Sequence, residues 1–291
     1  MNKIYDCFSF YNELDLLEIR LRELYDHVDH FVISEANTTH SGQPKEFILL
    51  DNWKRFKPWA DKIIHVKVED MPGVIDGNCW HNERHQRNCL TRGLVDADDE
   101  DILLVGDVDE FLRPSSIDEL RNDFEHNFWG FRMPMFNYRF NYMWTTPLIY
   151  QVQTQGMTVA RSKTFPNLSH IREVYGTVWA NRPVEYSDDQ DLCLQHSGWH
   201  FSSIGNSDFV ANKLKSFAHN ELAYQADTID VDSLIAENKT SLRPDARFEA
   251  VELDDYFPKT IVDNPELYKD LIITGATTSA KDLLPCPALV L

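Results

Sequence analysis

Two aspartates follow a short apolar run near residue 105, and their spacing suits the binding of a divalent cation. The run 102–105 predicts a buried strand, and Gly106 separates it from Asp107 and Asp109. Alternate residues of a strand point to opposite faces, so both carboxylates reach one ion only if the chain turns here, which glycine permits. Carboxylates suit Mg²⁺ or Mn²⁺, and such an ion can bridge to a diphosphate. The alternative is a turn in which the aspartates bind their own backbone.

Other residues could complete such a site. Glu110 adds a third carboxylate, which could be a base, a support for a metal ligand or a helix N-terminal charge. His200, within Gly-Trp-His-Phe-Ser at 198–202, could complete an octahedral metal site, although a hydrogen-bonded histidine at the edge of the core is the commoner case. Arg84 and Arg87 could bind phosphate through their planar guanidinium groups, and surface ion pairs are the equally weighted alternative.

Several common motifs are absent or misplaced. His81 and His85 are four residues apart, but Glu83 is in the wrong position for a zinc-peptidase motif. The five cysteines contain no C-x-x-C pair, so a zinc knuckle is not expected and a reducing compartment is favoured. The sequence also has no P-loop, Rossmann or nucleophile-elbow motif.

Strands and helices alternate over the first ~110 residues. The pattern predicts strands at 4–10, 30–34, 63–68 and 102–105, and helices at 13–26 and 81–95. This order predicts an α/β fold with a mostly parallel sheet, whose ligands bind at the carboxyl ends of the strands. We therefore expect the loops at 11–13, 35–45 and 106–110 to converge on one cleft.

The second half of the chain has a different sequence pattern. Aromatic residues crowd segment 128–150, and their alternation from Phe136 to Tyr142 predicts a strand. Most of these rings are expected in the core, with one or two available to an acceptor groove. Residues 209–226 read as helical. Without internal repeats or a low-complexity linker, we predict one domain over 1–291, divided into a nucleotide-sugar-binding half (1–110), an acceptor and metal-completing half (111–278) and a tail (279–291).

Composition limits the function classes. The chain has 291 residues, of which 43% are hydrophobic, and a net charge of −19. This charge disfavours nucleic acid and anionic membranes as partners, and an anionic substrate would need a local cationic island such as a metal ion. The start of the chain reads as a strand rather than a signal peptide, and no run of 18 apolar residues predicts a transmembrane helix. We therefore expect a cytoplasmic protein.

Seven segments together carry a resemblance to a known family. They are Tyr5–Leu21, Val28–Ala36, Thr39–Lys45, Glu83–Arg87, Asp107–Glu110, Gly198–Ser202 and Lys213–His219. From about residue 4 to about residue 221 the chain resembles glycosyltransferase family 17, the family of the bisecting β-1,4-N-acetylglucosaminyltransferase. The first segment and the Thr-His-Ser-Gly-Gln-Pro-Lys loop are the specific ones, whereas an Asp-x-Asp motif alone is common.

The resemblance implies a GT-A-like fold, a UDP-N-acetylglucosamine-type donor, a divalent metal (Mn²⁺ or Mg²⁺) and inversion at the anomeric carbon. Asp107 and Asp109 would then serve the metal and the nucleotide, with His200 as a third metal ligand. Arg84 and Arg87 would face the diphosphate.

The same resemblance places Asn12, Glu13 and Glu35 near the nucleotide end of the cleft. The expected reaction is a single displacement by an acceptor hydroxyl, with Glu110 as the first candidate base and Glu221 as the second. The acceptor is a glycan or another hydroxyl compound, and the sequence defines neither its identity nor the oligomeric state. The sequence leads us to expect no membrane anchor of the kind found in the animal enzyme of this family, and residues 181–196 match no pattern of it.

Two rival functions use the same residues differently. A metal-dependent nucleotide-sugar or sugar-phosphate hydrolase would use the same aspartates with water as the nucleophile. A non-catalytic carbohydrate-binding protein would use the aromatic segment 128–150 as its platform. Release of UDP with and without an acceptor separates the first rival from a transferase, and metal-independent glycan binding is the signature of the second.

Overall fold

The computed structural model describes residues 2–146, 151–173, 187–188, 191–218, 220–241 and 246–284. Its strands are β1 (Ile4–Ser9), β2 (His30–Ala36), β3 (Ile63–Val68), β4 (Ile102–Asp107), β5 (Glu110–Leu112), β6 (Phe128–Met133), β7 (Met135–Asn137), β8 (Tyr142–Thr146), β9 (Gln151–Thr158), β10 (Ser187–Asp188), β11 (Asp191–Leu194), β12 (Gly198–Ser202) and β13 (Arg247–Ala250). The predicted strands of the first half match β1 to β4 within three residues at either end.

The α-helices are α1 (Leu14–Leu24), α2 (Ile48–Asp51), α3 (Trp53–Phe56), α4 (Trp80–Asn88), α5 (Pro114–Arg121), α6 (Val159–Ser162), α7 (Ser207–Ser216), α8 (Val231–Ala236), α9 (Lys259–Val262) and α10 (Ala280–Leu283). Short 3₁₀ helices cover Lys57–Trp59, Cys89–Gly93, Asn220–Gln225 and Pro265–Leu271, and residues 168–173 are also helical. The segment expected to be a tail therefore contains α10. No helix among the described residues has the length and apolar character needed to cross a bilayer.

The larger sheet is mixed, which corrects the expectation of a mostly parallel sheet. Its strand order is β10-β11-β6-β9-β4-β1-β2-β3. Strands β3, β2, β1 and β4 are parallel, but β9 runs antiparallel to both β4 and β6. Strand β9 has the sequence Gln-Val-Gln-Thr-Gln-Gly-Met-Thr. It carries no apolar run that would reveal a central strand, although Thr154 and Gln155 are fully buried.

Helix α1 covers one face of this sheet. It buries Leu17, Leu21 and Leu24 completely, and this helical spacing is the one that predicted the element. Each such leucine contributes about 1.5–3 kcal/mol of transfer free energy when it leaves water. The helix also buries Arg20, whose contacts link α1 to the carboxyl end of β4.

The smaller sheet has the order β13-β8-β7-β12-β5. The single strand expected through Phe136 to Tyr142 is wrong, because β7 ends at Asn137 and β8 begins at Tyr142. Tyr138 adopts a left-handed backbone conformation with φ of 64°, which breaks the alternation. In this sheet β12 pairs antiparallel with β5 and sets His200 opposite Glu110.

Candidate active site

A cleft of about 510 Å³ opens at the carboxyl ends of the parallel strands. It is lined by Ser9, Phe10, Tyr11, Glu13, Thr38, Thr39, His40, Lys45, Trp80, Glu83, Arg84, Gln86, Arg87, Asp107, Val108, Asp109, Ser169, Arg172, Glu173, Lys213, Ser216, Phe217 and Ala218. The three loops expected to converge all contribute, which confirms that prediction. The residues from 169 onward come from the second half of the chain, and among them Ser169 and Glu173 contact α4.

Asp107 lies between two arginines at the end of β4. Its Oδ1 accepts a hydrogen bond of 2.9 Å from Nη2 of Arg87, and its Oδ2 accepts one of 2.9 Å from Nη2 of Arg172. Burial alone would raise the pKa of this carboxyl group. The two guanidinium charges outweigh that effect and hold the pKa well below its usual range. Asp107 is therefore a fixed negative charge at neutral pH.

Glu110 is a buried partner of the same arginine. Arg172 donates to both of its carboxylate oxygens, at 2.6 and 2.5 Å, and the backbone N–H of Asp107 donates to Oε2 at 3.1 Å. The side chain is only 2% exposed and does not line the cleft. Both carboxylate oxygens of Glu110 therefore already accept hydrogen bonds, and its assignment as the base stays a prediction.

Asp109 pairs with a lysine from helix α7. Nζ of Lys213 lies 2.9 Å from Oδ2 of Asp109. Burial opposes the charge on Lys213, but Asp109 and Glu13 outweigh it and raise the pKa of the lysine. Burial raises the pKa of Glu13, with Lys213 opposing and Asp109 reinforcing that shift. These three side chains therefore form one buried charged group on the cleft wall.

Three side chains at or beside the cleft could hold a metal ion. A carboxylate oxygen from each of Asp109 and Glu110 and a ring nitrogen of His200 lie within 4.8 Å of one another. Nδ1 of His200 is buried and has no hydrogen-bond partner among the described residues. Two carboxylates and an imidazole are a donor set that fits Mn²⁺ or Mg²⁺. This cluster contains Asp109 and His200 of the predicted ligand set, with Glu110 as its third member. Both Asp107 and Glu110 bind arginine through both carboxylate oxygens, and Asp107 as a metal ligand stays a prediction.

Arg20 holds the turn that carries the acidic residues. Its Nη1 donates to the backbone oxygens of Asp107 at 2.7 Å, Val108 at 3.3 Å and Glu110 at 3.0 Å. Its Nε and Nη2 donate to the two oxygens of Asp6 at 2.7 and 2.5 Å. The guanidinium also lies 4.0 Å from the ring centre of Phe8. Both charged side chains are 1% exposed, so this buried pair fixes the backbone of the acidic turn.

The remaining predicted residues occupy different positions. Glu35 is fully buried and does not line the cleft; it binds Lys45 at 3.0 Å and His65 at 3.1 Å, and Lys45 is the residue that reaches the cleft. Arg84 lines the cleft, and its Nε lies 2.5 Å from Glu173. Asn12 is adjacent to two lining residues but does not line the cleft itself.

Glu221, the second candidate base, lies in the 3₁₀ helix Asn220–Gln225, and its side chain is outside the described residues. Sequence reasoning missed Arg172 and Arg20, which have no recognisable spacing from Asp107. It also assigned no role to Lys213, although this residue opens one of the segments that carry the family resemblance.

A cleft at the strand ends with clustered carboxylates and cations defines an α/β protein equipped for a charged substrate. Within that class the chain belongs to glycosyltransferase family 17, because the family model matches residues 1–238.

Curated relatives match a smaller part of the chain. The rat and human proteins named "Beta-1,4-mannosyl-glycoprotein 4-beta-N-acetylglucosaminyltransferase" are each 29% identical to it over 116 residues. The mouse protein of that name is 28% identical over the same length. The matched region covers 37% of this chain and 21% of each relative, so the chain spans about a fifth of the length of these proteins.

Proposed function

We propose that the protein is a metal-dependent, inverting glycosyltransferase with a GT-A-like fold that transfers N-acetylglucosamine from UDP-N-acetylglucosamine to a glycan or another hydroxyl acceptor. Membership of the family supports the reaction class, and the names of the relatives support the sugar. The observation that carries the proposal is the meeting of carboxylates and cations at the carboxyl end of β4. A cytoplasmic location stays a prediction.

The charges at the cleft suit a divalent ion and a diphosphate together. The group contains five carboxylates and three cationic side chains, namely Glu13, Glu83, Asp107, Asp109 and Glu110 against Arg87, Arg172 and Lys213. A metal ion held by Asp109, Glu110 and His200 would supply Lewis-acid neutralisation of charge on the leaving diphosphate.

We propose that the cationic side chains of the cleft bind the diphosphate of the donor. Arg87, Arg172 and Lys213 line the cleft, and each is held by a carboxylate at hydrogen-bonding distance. Their positions are therefore set before a substrate binds, and such preorganised cations stabilise charge that develops during a reaction. We assign them to the diphosphate, with Arg84 at the rim.

Aromatic rings in the cleft offer a surface for the sugar. Trp80 begins α4 and lies on the same helical face as Glu83, Arg84 and Arg87, all of which line the cleft. Apolar ring faces of this kind pack against the C–H faces of sugars. By contrast, the described aromatic residues of segment 128–146 lie in the core and none lines the cleft. Tyr150, the last aromatic residue of the segment 128–150, lies outside the described residues, and an acceptor groove there stays a prediction.

The proton acceptor is proposed from the remaining carboxylates. Glu221 stays a prediction. Among the described residues, Glu13 lines the cleft and burial raises its pKa, which brings a carboxyl group closer to the range suited to general-base catalysis.

Release of UDP from UDP-N-acetylglucosamine tests the proposal, measured with and without a panel of sugar acceptors and with Mn²⁺ or a chelator. We expect release that depends on both metal and acceptor. Asp109→Asn should abolish it. Asp227→Asn should leave it unchanged, because Asp227 forms a comparable 2.8 Å pair with Lys215 of the same helix but at the exposed surface.

The same experiment separates the alternatives. Metal-dependent UDP release that is equal with and without acceptor would instead indicate a hydrolase acting on the nucleotide sugar. Glycan binding that survives both the chelator and Asp109→Asn, without any UDP release, would indicate a carbohydrate-binding protein and contradict the transferase proposal.

A further inference from the structure

A second cluster of metal-binding side chains lies on α4, away from the cleft. Asp70 follows β3, while His85 and Cys89 lie on α4 and at its C-terminus. One ligand atom from each of these residues lies within 4.8 Å of the other two. We propose that they form a binding site for a thiophilic divalent cation of the Zn²⁺ type.

The chemistry of the cluster separates it from the candidate active site. It offers one thiolate sulfur, one imidazole nitrogen and one carboxylate oxygen, a borderline-soft set that favours Zn²⁺ over Mn²⁺ or Mg²⁺. Ligands of one tetrahedral zinc ion at about 2.0–2.3 Å lie roughly 3.3–3.8 Å apart. The observed spacing therefore requires only a small contraction of side chains.

His85 supplies an independent sign that a ligand is missing from this cluster. Its Nε2 is buried and has no hydrogen-bond partner among the described residues. The nearest carboxylate oxygen, Oδ1 of Asp70, is 3.4 Å away, which is long for a hydrogen bond of this kind. A metal ion between the three side chains would satisfy this nitrogen.

The spacing along the helix explains why the motif escaped sequence analysis. His85 lies four residues after His81 and four before Cys89, and its neighbour in the cluster is Cys89. Residues at i and i+4 share a helical face, so His85 and Cys89 point together, and Asp70 reaches them from the loop before α4. The opposite face of α4 carries Glu83 and Arg87 into the cleft.

Arg92 binds the carboxylate of Asp70 and would compete with a metal ion for it, so replacing Arg92 tests the proposal. It binds Asp70 through two hydrogen bonds, at 2.9 and 2.6 Å, yet its own side chain is 45% exposed. Removing it should free Asp70 without disturbing the core. Metal binding would displace the thiol proton of Cys89 to solvent as the sulfur–metal bond forms.

Metal binding at this site would anchor helix α4. An ion held by Asp70, His85 and Cys89 would tie the exit of β3 to the helix that presents Trp80 and Arg87 to the cleft. The long loop between Asp70 and Trp80 would then be closed at its base. The site would act as a structural clamp and would take no part in the transfer step.

Titration of the reduced full chain with Co²⁺ tests the proposal by absorption. Thiolate ligation gives a sulfur-to-cobalt charge-transfer band, which the Asp109, Glu110 and His200 cluster cannot produce because it contains no sulfur. We expect this band in the wild type, and its loss when Zn²⁺ displaces the cobalt.

Variants then assign the band to its residues. Cys89→Ser should remove it, and His85→Gln and Asp70→Asn should each weaken Co²⁺ binding more than about tenfold, the lower bound seen even for residues that only support a ligand. Arg92→Gln should tighten binding. The matched controls Cys79→Ser and His81→Gln should leave the titration unchanged.

Several results would overturn the proposal. These are a wild-type titration with no charge-transfer band, a band that persists in Cys89→Ser, or an affinity that neither His85→Gln nor Asp70→Asn alters. Circular dichroism of each variant establishes that it is folded. The readout does not involve transfer activity, so the outcome is independent of the proposed function.

Discussion

Replacing Arg20 tests whether this side chain holds the acidic turn, residues 107–110, in position. Arg20→Met leaves the carboxylate of Asp6 buried without its partner, which costs about 3–5 kcal/mol. It also removes the donor shared by the backbone oxygens of Asp107, Val108 and Glu110. Against a total stability of about 5–15 kcal/mol, we expect a protein that folds poorly or only at low temperature.

A double variant separates stability from positioning. Arg20→Met with Asp6→Leu replaces the buried ion pair by apolar groups, which restores stability in many proteins. The three backbone oxygens still lack their donor, so the turn should shift and transfer should remain impaired. A displacement of about 1 Å costs roughly 100-fold in rate, so we expect kcat/KM to fall by about two orders of magnitude.

Urea unfolding and UDP-release kinetics measure the two effects side by side. Arg121→Met is the matched control, because Arg121 also binds an aspartate, Asp29 at 3.1 Å, and donates to backbone oxygens. It does not line the cleft, so its loss should lower stability modestly and leave kcat/KM intact. Near-normal kcat/KM in a folded double variant would refute the positioning argument.

Three further predictions concern single residues. Lys213→Gln should weaken binding of UDP-N-acetylglucosamine about 10- to 100-fold, which is the contribution of one charge-assisted hydrogen bond. The control Lys215→Gln should leave the dissociation constant measured by isothermal titration calorimetry unchanged. Burial lowers the pKa of His40 in the folded protein. Below about pH 6.5 the imidazole is therefore protonated more fully in the unfolded chain than in the folded one. Stability should therefore fall as the pH drops towards 5.5, and urea unfolding of His40→Gln should show a smaller fall. Gly198→Ala should lower the melting temperature, because its Cβ would lie 2.2 Å from the backbone oxygen of Phe111; an unchanged melting temperature would contradict the close approach of β12 to β5.

Local patterns in the sequence predicted the first half of the fold well. Runs rich in apolar residues identified β1 to β4, and leucine spacing identified α1, because in both cases apolar side chains indicate burial. Strand β9 escaped detection because its buried residues include Thr154 and Gln155, whose polar side chains do not indicate burial in a sequence. The break at Tyr138 escaped for a different reason, since a single left-handed residue leaves no trace in an alternating pattern.

The candidate site was predictable in part for the same reason. Asp107 and Asp109 follow a recognisable strand, so their location at the cleft could be inferred. Arg172 and Lys213 could not, because their place depends on packing between segments that are far apart in sequence. Glu35 was expected near the nucleotide from the family resemblance alone. It lies inside the protein beside Lys45 and His65, and its role stays a prediction.

The position of β4 in the larger sheet has a consequence for the growing chain. When the ribosome has made the first ~110 residues, β3, β2, β1 and β4 can pair, but the outer edge of β4 has no neighbour until β9 is complete. An apolar strand with an open edge is a site for pairing with other chains. The acidic turn therefore matures late in synthesis, and a fragment ending near residue 110 should aggregate rather than bind nucleotide.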